Sequence, residues 1–156
     1  MLKAQTSFWN EEKAYSSRTE EWATPQNLFD ELDKEFKFTL DPCASKDNYK
    51  CKKYFTIKDN GLNQDWEGVV FMNPPYGRQI KLWVKKAYQE SLKGVVVVCL
   101  IPARTDTIYW HKYIFPFAKD IRFLKGRLKF VKDGKIGDPA PFPSAVVIFK
   151  GDKSAE

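Results

Sequence analysis

The stretch VVVVCLIP, residues 95–102, constrains the fold of this chain more than any other. It shows no polar alternation, so it does not suit a strand with one face in water. It falls far short of the ~20 apolar residues that cross a membrane as a helix. What remains is a strand covered on both faces, and such strands sit in parallel sheets whose crossover helices cover them. GVVFMNPP, residues 68–75, reads as a second strand of this kind. Between the two, QIKLWVKKAYQES places Ile80, Trp83, Val84 and Ala87 on one helical face, and Gly94 lies just past its end.

Upstream, EWATPQNLFDELDKEF predicts a helix capped by Thr24, with Pro25 at its first position and Leu28, Phe29, Leu32 and Phe36 on one face. FKFTLDP predicts a short strand ended by Pro42, and the lysine-rich stretch 44–65 offers at most a short strand at KYFTI. TDTIYWHKYIFPFA predicts a helix that Pro116 kinks or ends. IRFLKGRLKFV, KDGK and PSAVVIFK then read as strands joined by turns. We therefore expect an α/β fold, a mostly parallel central sheet with an antiparallel C-terminal hairpin or edge strand. Ligands of such sheets lie beyond the carboxyl ends of the strands, where Asp41 and Asn73 both fall.

A length of 156 residues suits one domain, here 21–156, preceded by a polar, unpatterned arm or lid at 1–20. The net charge of +6 suits a polyanion such as DNA or RNA, or simply a lysine-rich surface. Cys43, Cys51 and Cys99 are odd in number and form no C-x-x-C pair, which argues against a disulfide framework or a zinc site. His111 is the only histidine, so histidine triads and multi-histidine metal sites have nothing to build with, and no metal is expected. The N-terminus lacks the apolar core of a signal peptide, so the expectation is a cytoplasmic protein without membrane contact.

FMNPPYGR, residues 71–78, ends a buried strand in two residues that donate no backbone hydrogen bond. At Asn73-Pro74-Pro75-Tyr76 the chain resembles the amino-methyltransferases that use S-adenosylmethionine, and more narrowly the phage-type DNA N-6-adenine methyltransferases, the phage Dam family. The pieces that carry the resemblance run in order from EWATPQNLFDEL through FTLDPCAS, YFTIKDNGLNQDW, FMNPPYG, LIPARTDTIYW and GRLKF to APFPSAVVIF. It implies the Rossmann-like class I methyltransferase fold, methyl transfer to the N-6 amine of adenine in double-stranded DNA, and S-adenosylhomocysteine as product. It also implies a phage or prophage origin and a place in DNA methylation or restriction-modification. The length leaves no room for a separate target-recognition domain, so recognition falls to the loop 44–65, the RTDT segment or the hairpin 126–143, and the protein is a monomer or weak homodimer.

The chemistry gives the prolines a purpose. The adenine amine is a poor nucleophile, because its lone pair is delocalised into the ring. Acceptors aimed at its two hydrogens favour a tetrahedral nitrogen and free the pair for in-line attack. The Asn73 side-chain oxygen and the Pro74 carbonyl can be those acceptors, with Pro74 and Pro75 holding the turn rigid. Tyr76 can stack on a base extruded from the duplex, an interaction of about 1–3 kcal/mol. The resemblance puts Asp41 and Cys43 at the cofactor, Asp41 facing the methionine ammonium, and Thr24 and Pro25 beside the methionine carboxylate. Asp59, 18 residues beyond Asp41, is the acid assigned to the ribose hydroxyls, and Asp65, before Trp66, is its competitor, which could reach the cofactor adenine; taken alone, each reads slightly better as a turn residue. Arg78, Arg104 and Arg127 are candidate DNA contacts, with Lys125, Arg127 and Lys129 alternating along a strand. Phe142 is a second candidate to sandwich the base, or a core aromatic. Alternatives are the same fold acting on RNA or on protein glutamine, and a silent methyltransferase-like DNA-binding module. The last draws on the absence of a glycine-rich stretch after Asp41, the first glycine being Gly61.

Overall fold

The computed structural model describes residues 22–151; the arm or lid expected at 1–20 lies outside them. The elements in order are α1 (Gln26–Phe36), β1 (Leu40–Asp41), β2 (Lys53–Tyr54), a 3-10 turn (Gly61–Asn63), β3 (Val69–Met72), α2 (Ile80–Ser91) and β4 (Val96–Pro102). A π-helical turn (Trp110–Ile114) runs into the short α3 (Phe115–Phe117), followed by β5 (Asp120–Phe123), β6 (Val131–Lys132), β7 (Lys135–Ile136) and β8 (Ser144–Lys150). Six strands make one sheet in the order β2-β1-β3-β4-β8-β5, and β6 and β7 pair separately as a hairpin. β2, β1, β3 and β4 are mutually parallel, while β8 runs antiparallel between β4 and β5. This is the α/β architecture that the alternating pattern predicts, in the Rossmann-like form that the resemblance implies. The antiparallel C-terminal pair β5–β8 closes one edge of the sheet, and β8, held between β4 and β5, buries all its residues but Lys150.

Register fixes which helix covers which face. Phe71, Val98 and Ile148 stand opposite one another across three strands and so share a face. On that face Phe29 of α1 meets Phe71 edge-on at 5.2 Å. Phe149, one residue on from Ile148, points the other way and meets Tyr88 of α2. Ile80, Trp83, Val84 and Ala87 of α2 are all buried, and Gly94 takes the positive φ of +100° expected beyond a helix end. At the far side of the sheet, Arg122 of β5 forms a bidentate pair with Glu35 of α1, at 2.7 and 2.6 Å.

Two expectations fail locally. The run IRFLKGRLKFV is one strand only to Phe123; residues 124–130 are irregular, so Lys125, Arg127 and Lys129 do not alternate along a strand. Gly126, with φ of +75°, breaks the run. Thr24 is not the cap of α1 either. The helix begins after Pro25, no side chain caps it, and the Thr24 hydroxyl is engaged elsewhere.

Candidate active site

Asn73 follows the last residue of β3, at the carboxyl rim of the parallel strands. Its amide nitrogen donates to the Trp22 carbonyl (2.7 Å) and to Thr24 Oγ1 (2.9 Å). A carbonyl only accepts, so the amide orientation is forced. The consequence is that Asn73 Oδ1 is buried with no hydrogen-bond partner. A buried acceptor left unsatisfied costs on the order of 1–3 kcal/mol, so Asn73 Oδ1 is open to a donor brought by a ligand or a water. Pro74, Pro75 and Tyr76 behind it are buried, and the Tyr76 hydroxyl donates to the Leu100 carbonyl of β4 at 3.1 Å. Burial pushes the Tyr76 phenol well above its ordinary range, so it stays a donor. This bond and the two prolines lock the loop onto β4.

Asp41 ends β1 beside it. Its Oδ1 accepts from the Cys43 amide (3.1 Å) and its Oδ2 from the Lys50 amide (3.0 Å). Burial raises the Asp41 carboxyl to about 6, although both amides and the Lys50 charge pull the other way. Lys50 is drawn down by its own burial and held up by Asp41 and Asp30, and its ammonium donates to Gln26 Oε1 at 2.7 Å. Trp22, Thr24, Asp41, Cys43, Asn48, Lys50, Phe71, Asn73 and Pro74 line one cleft; Thr24, Asn48 and Lys50 also line a second that reaches the hairpin turn at Asp133 and Gly134. Cys43 faces the cleft as a neutral thiol, since burial pushes its pKa well up. Pro25 stands at the entry to α1 without lining either cleft.

The other predicted residues divide. Asp59 Oδ2 accepts from the Thr56 amide and hydroxyl, a turn contact of its own, in the loop that follows β2 on the Asp41 side of the sheet. Asp65 is exposed, precedes β3 and faces Lys93 at 3.9 Å, on the rim opposite Asn73, because its strand has not yet begun. Phe142 is buried against Tyr76, and the Arg104 guanidinium lies over its ring at 5.5 Å. Arg127 reaches the Ala140 carbonyl at 3.5 Å. Arg78 lines a separate groove with Gly77, Lys81, Lys85, Ile108 and Lys112, which starts at the residue after Tyr76.

Sequence reasoning did not single out Trp22, Asn48 or Lys50. Trp22 stands just ahead of the helix start and carries no motif of its own. Lys50 is one lysine among several in a polar stretch, and only the fold of the loop against Asp41 distinguishes it. A Cβ on Gly61 would stand 2.5 Å from the Pro42 carbonyl and 3.1 Å from Trp83, so Gly61 packs directly against the Asp41 turn.

The family described as DNA N-6-adenine-methyltransferase (Dam) matches residues 11–154. The chain is 32% identical over 135 residues to the DNA N-6-adenine-methyltransferase of Haemophilus phage HP1, covering 83% of this chain and 78% of that protein. It is also 32% identical over 92 residues to the DNA N-6-adenine-methyltransferase of Escherichia phage T1, covering 57% of this chain and 38% of that one.

Proposed function

Because the chain belongs to the DNA N-6-adenine-methyltransferase (Dam) family, and is therefore an enzyme that methylates DNA, we propose that it moves the methyl group of S-adenosylmethionine directly to the N-6 amine of an adenine flipped out of the duplex. The observation that carries this is the Asn73 amide, held by Trp22 and Thr24 so that Oδ1 is a buried acceptor without a donor. An amine hydrogen is the donor it lacks. The Pro74 carbonyl would take the second hydrogen, freeing the amine pair at the rim where the cofactor would bind.

The donor set of the cleft suits the amino-acid end of the cofactor: an acid, Asp41, for its ammonium, and Lys50 with Thr24 for its carboxylate. When bound, S-adenosylmethionine supplies an electrophilic methyl on sulfur. The chain's residues hold it, exclude water and orient the amine. Cys43 contributes its backbone amide to Asp41, and its neutral thiol suits packing rather than attack. In this reading Asp59 would serve the ribose; in its support, Asp59 follows β2 on the Asp41 side of the sheet, whereas Asp65 precedes β3 and faces Lys93. Arg78, Lys81, Lys85 and Lys112 around the neighbouring groove meet backbone phosphates, and Arg104 and Arg127 flank the base side. We propose a single catalytic domain at 21–156, working inside a bacterial host cell as a monomer or weak homodimer.

The test is transfer of labelled methyl into unmethylated duplex DNA, with RNA and a protein pool alongside. The expected product is N-6-methyladenine in DNA, and Asn73→Ala abolishes it while cofactor binding by calorimetry persists. Label in RNA or protein alone overturns the substrate; near-normal turnover by Asn73→Ala overturns the mechanism.

A further inference from the structure

Behind the catalytic loop the protein already holds a flat bicyclic ring. The indole of Trp22 lies near-parallel to Tyr76, with centroids 6.2 Å apart and planes 26° apart. Phe130 and Phe142 meet it edge-on at 5.3 and 5.1 Å. Those three rings also touch one another, Tyr76 with Phe130 at 6.1 Å, Tyr76 with Phe142 at 5.5 Å and Phe130 with Phe142 at 6.0 Å. An aromatic box has thus closed around one fused five- and six-membered ring. Among side chains, indole is the nearest in shape to a purine.

We propose that Trp22 is a stand-in for the flipped adenine: its indole fills the base pocket of the free protein and swings out when the base enters. The inference rests on the reading of the Tyr76 surroundings as the base pocket. With Trp22 in place Tyr76 is 6% and Phe142 5% exposed, so neither offers an open stacking face. The other tryptophans of the described residues differ. Trp66, Trp83 and Trp110 are at most 3% exposed within the core, whereas Trp22 is only partly buried and lines the cleft.

The backbone around Trp22 permits the exchange. Its carbonyl accepts from Asn73 Nδ2, and the next carbonyl, Ala23, accepts from the Val131 amide of β6 at 2.9 Å. The main chain is pinned at two successive carbonyls, those of Trp22 and Ala23, while among the described residues the indole is held by its three ring contacts alone, so rotation about χ1 releases the ring without disturbing the bond that orients Asn73. The base restores to Tyr76, Phe130 and Phe142 the aromatic packing that the departing indole takes away. The pocket never stands open to water, and the alternative states lie close in free energy.

The experiment uses the full chain labelled with 5-fluorotryptophan, the Trp22 signal being assigned by its loss in Trp22→Phe. S-adenosylhomocysteine and duplex DNA are added, one duplex containing adenine and one built of G·C pairs alone. The expected result is movement of the Trp22 fluorine signal to a solvent-exposed position with the adenine duplex only. In parallel, Trp22→Ala lowers KM for DNA by about three- to tenfold, since a competing occupant has been removed. A Trp22 signal unmoved by the adenine duplex, one moved alike by both, or a raised KM for Trp22→Ala overturns the inference and makes Trp22 a fixed wall. Methyl transfer by the wild-type protein to the same adenine duplex separates the two levels. Transfer with an unmoved Trp22 removes this inference alone; no transfer removes the reading beneath it and this inference together.

Discussion

At the residue scale the site is a matter of where two acceptors point. Asn73 can present Oδ1 only because Trp22 and Thr24 take its two amide hydrogens. Thr24→Val removes one of them and lets the amide rotate. The expected result is a single-turnover transfer rate roughly tenfold lower, restored by Thr24→Ser, which keeps the hydroxyl. Asp41 makes a second prediction. Its carboxyl, raised to about 6 by burial, binds a proton more tightly in the folded chain than in the unfolded one. The stability of the unliganded protein therefore falls as pH rises from about 4 to about 6, the sign expected when the folded state binds more protons. A ligand ammonium favours the ionised acid, so cofactor affinity should strengthen over the window from about pH 5 to about pH 7. Calorimetry in buffers of different ionisation enthalpy should show proton release near pH 5–6, roughly where the acid titrates. Affinity independent of pH across that window would exclude Asp41 as the ammonium's partner.

At the element scale the notable join is between the β1 turn and the 3-10 turn at Gly61–Asn63. Trp66 donates its indole N–H to the Gly61 carbonyl at 2.9 Å, and the Gly61 α-carbon faces the Pro42 carbonyl. Gly61→Ala has no room to place its methyl without moving that carbonyl, which is backbone. We expect a loss of about 1–3 kcal/mol in denaturant unfolding, as overpacking of a tight contact gives. Cofactor affinity should weaken with it, because the shift is passed to Asp41 and Cys43. Unchanged stability in Gly61→Ala would show that the turn can yield. The hairpin β6–β7 is the other element that touches the site, through the Val131 amide on Ala23. Its turn residues Asp133 and Gly134 both take positive φ, at 51° and 76°, the geometry that a two-residue hairpin turn requires.

At the scale of the whole molecule the charge of +6 gains a direction. Arg78, Lys81, Lys85 and Lys112 surround a groove that begins where the Asn73–Tyr76 loop ends, and Ile108, 81% exposed, stands among them. A protein that neutralises some four to six phosphates loses DNA affinity with salt at a log–log slope of about −4 to −5. Replacing Lys81 and Lys85 together by Gln should shrink that slope by about 2 and weaken binding alike for all sequences. Fluorescence anisotropy across a salt series measures both, and an unchanged slope would place the duplex on another face.

The sheet is legible in the chain before it folds, because unbroken apolar runs and helical spacing are local patterns set by burial. Val96–Pro102, Val69–Met72 and Ile80–Ser91 fall where those patterns put them. Asn73, Pro74, Pro75 and Tyr76 are legible as a unit too, since adjacency fixes their spacing. The helix start at Gln26 and the break after Phe123 are not, because Thr24 and residues 124–130 answer to distant partners rather than to their neighbours. Folding in three dimensions is what puts Asp65 on the rim opposite Asn73, bends Lys50 back beside Asp41, and brings Gly61 up against the Pro42 carbonyl. Folding alone sets Trp22 among Tyr76, Phe130 and Phe142. Each of these is a contact between residues far apart in the chain, and such contacts depend on packing in space, which no local pattern records.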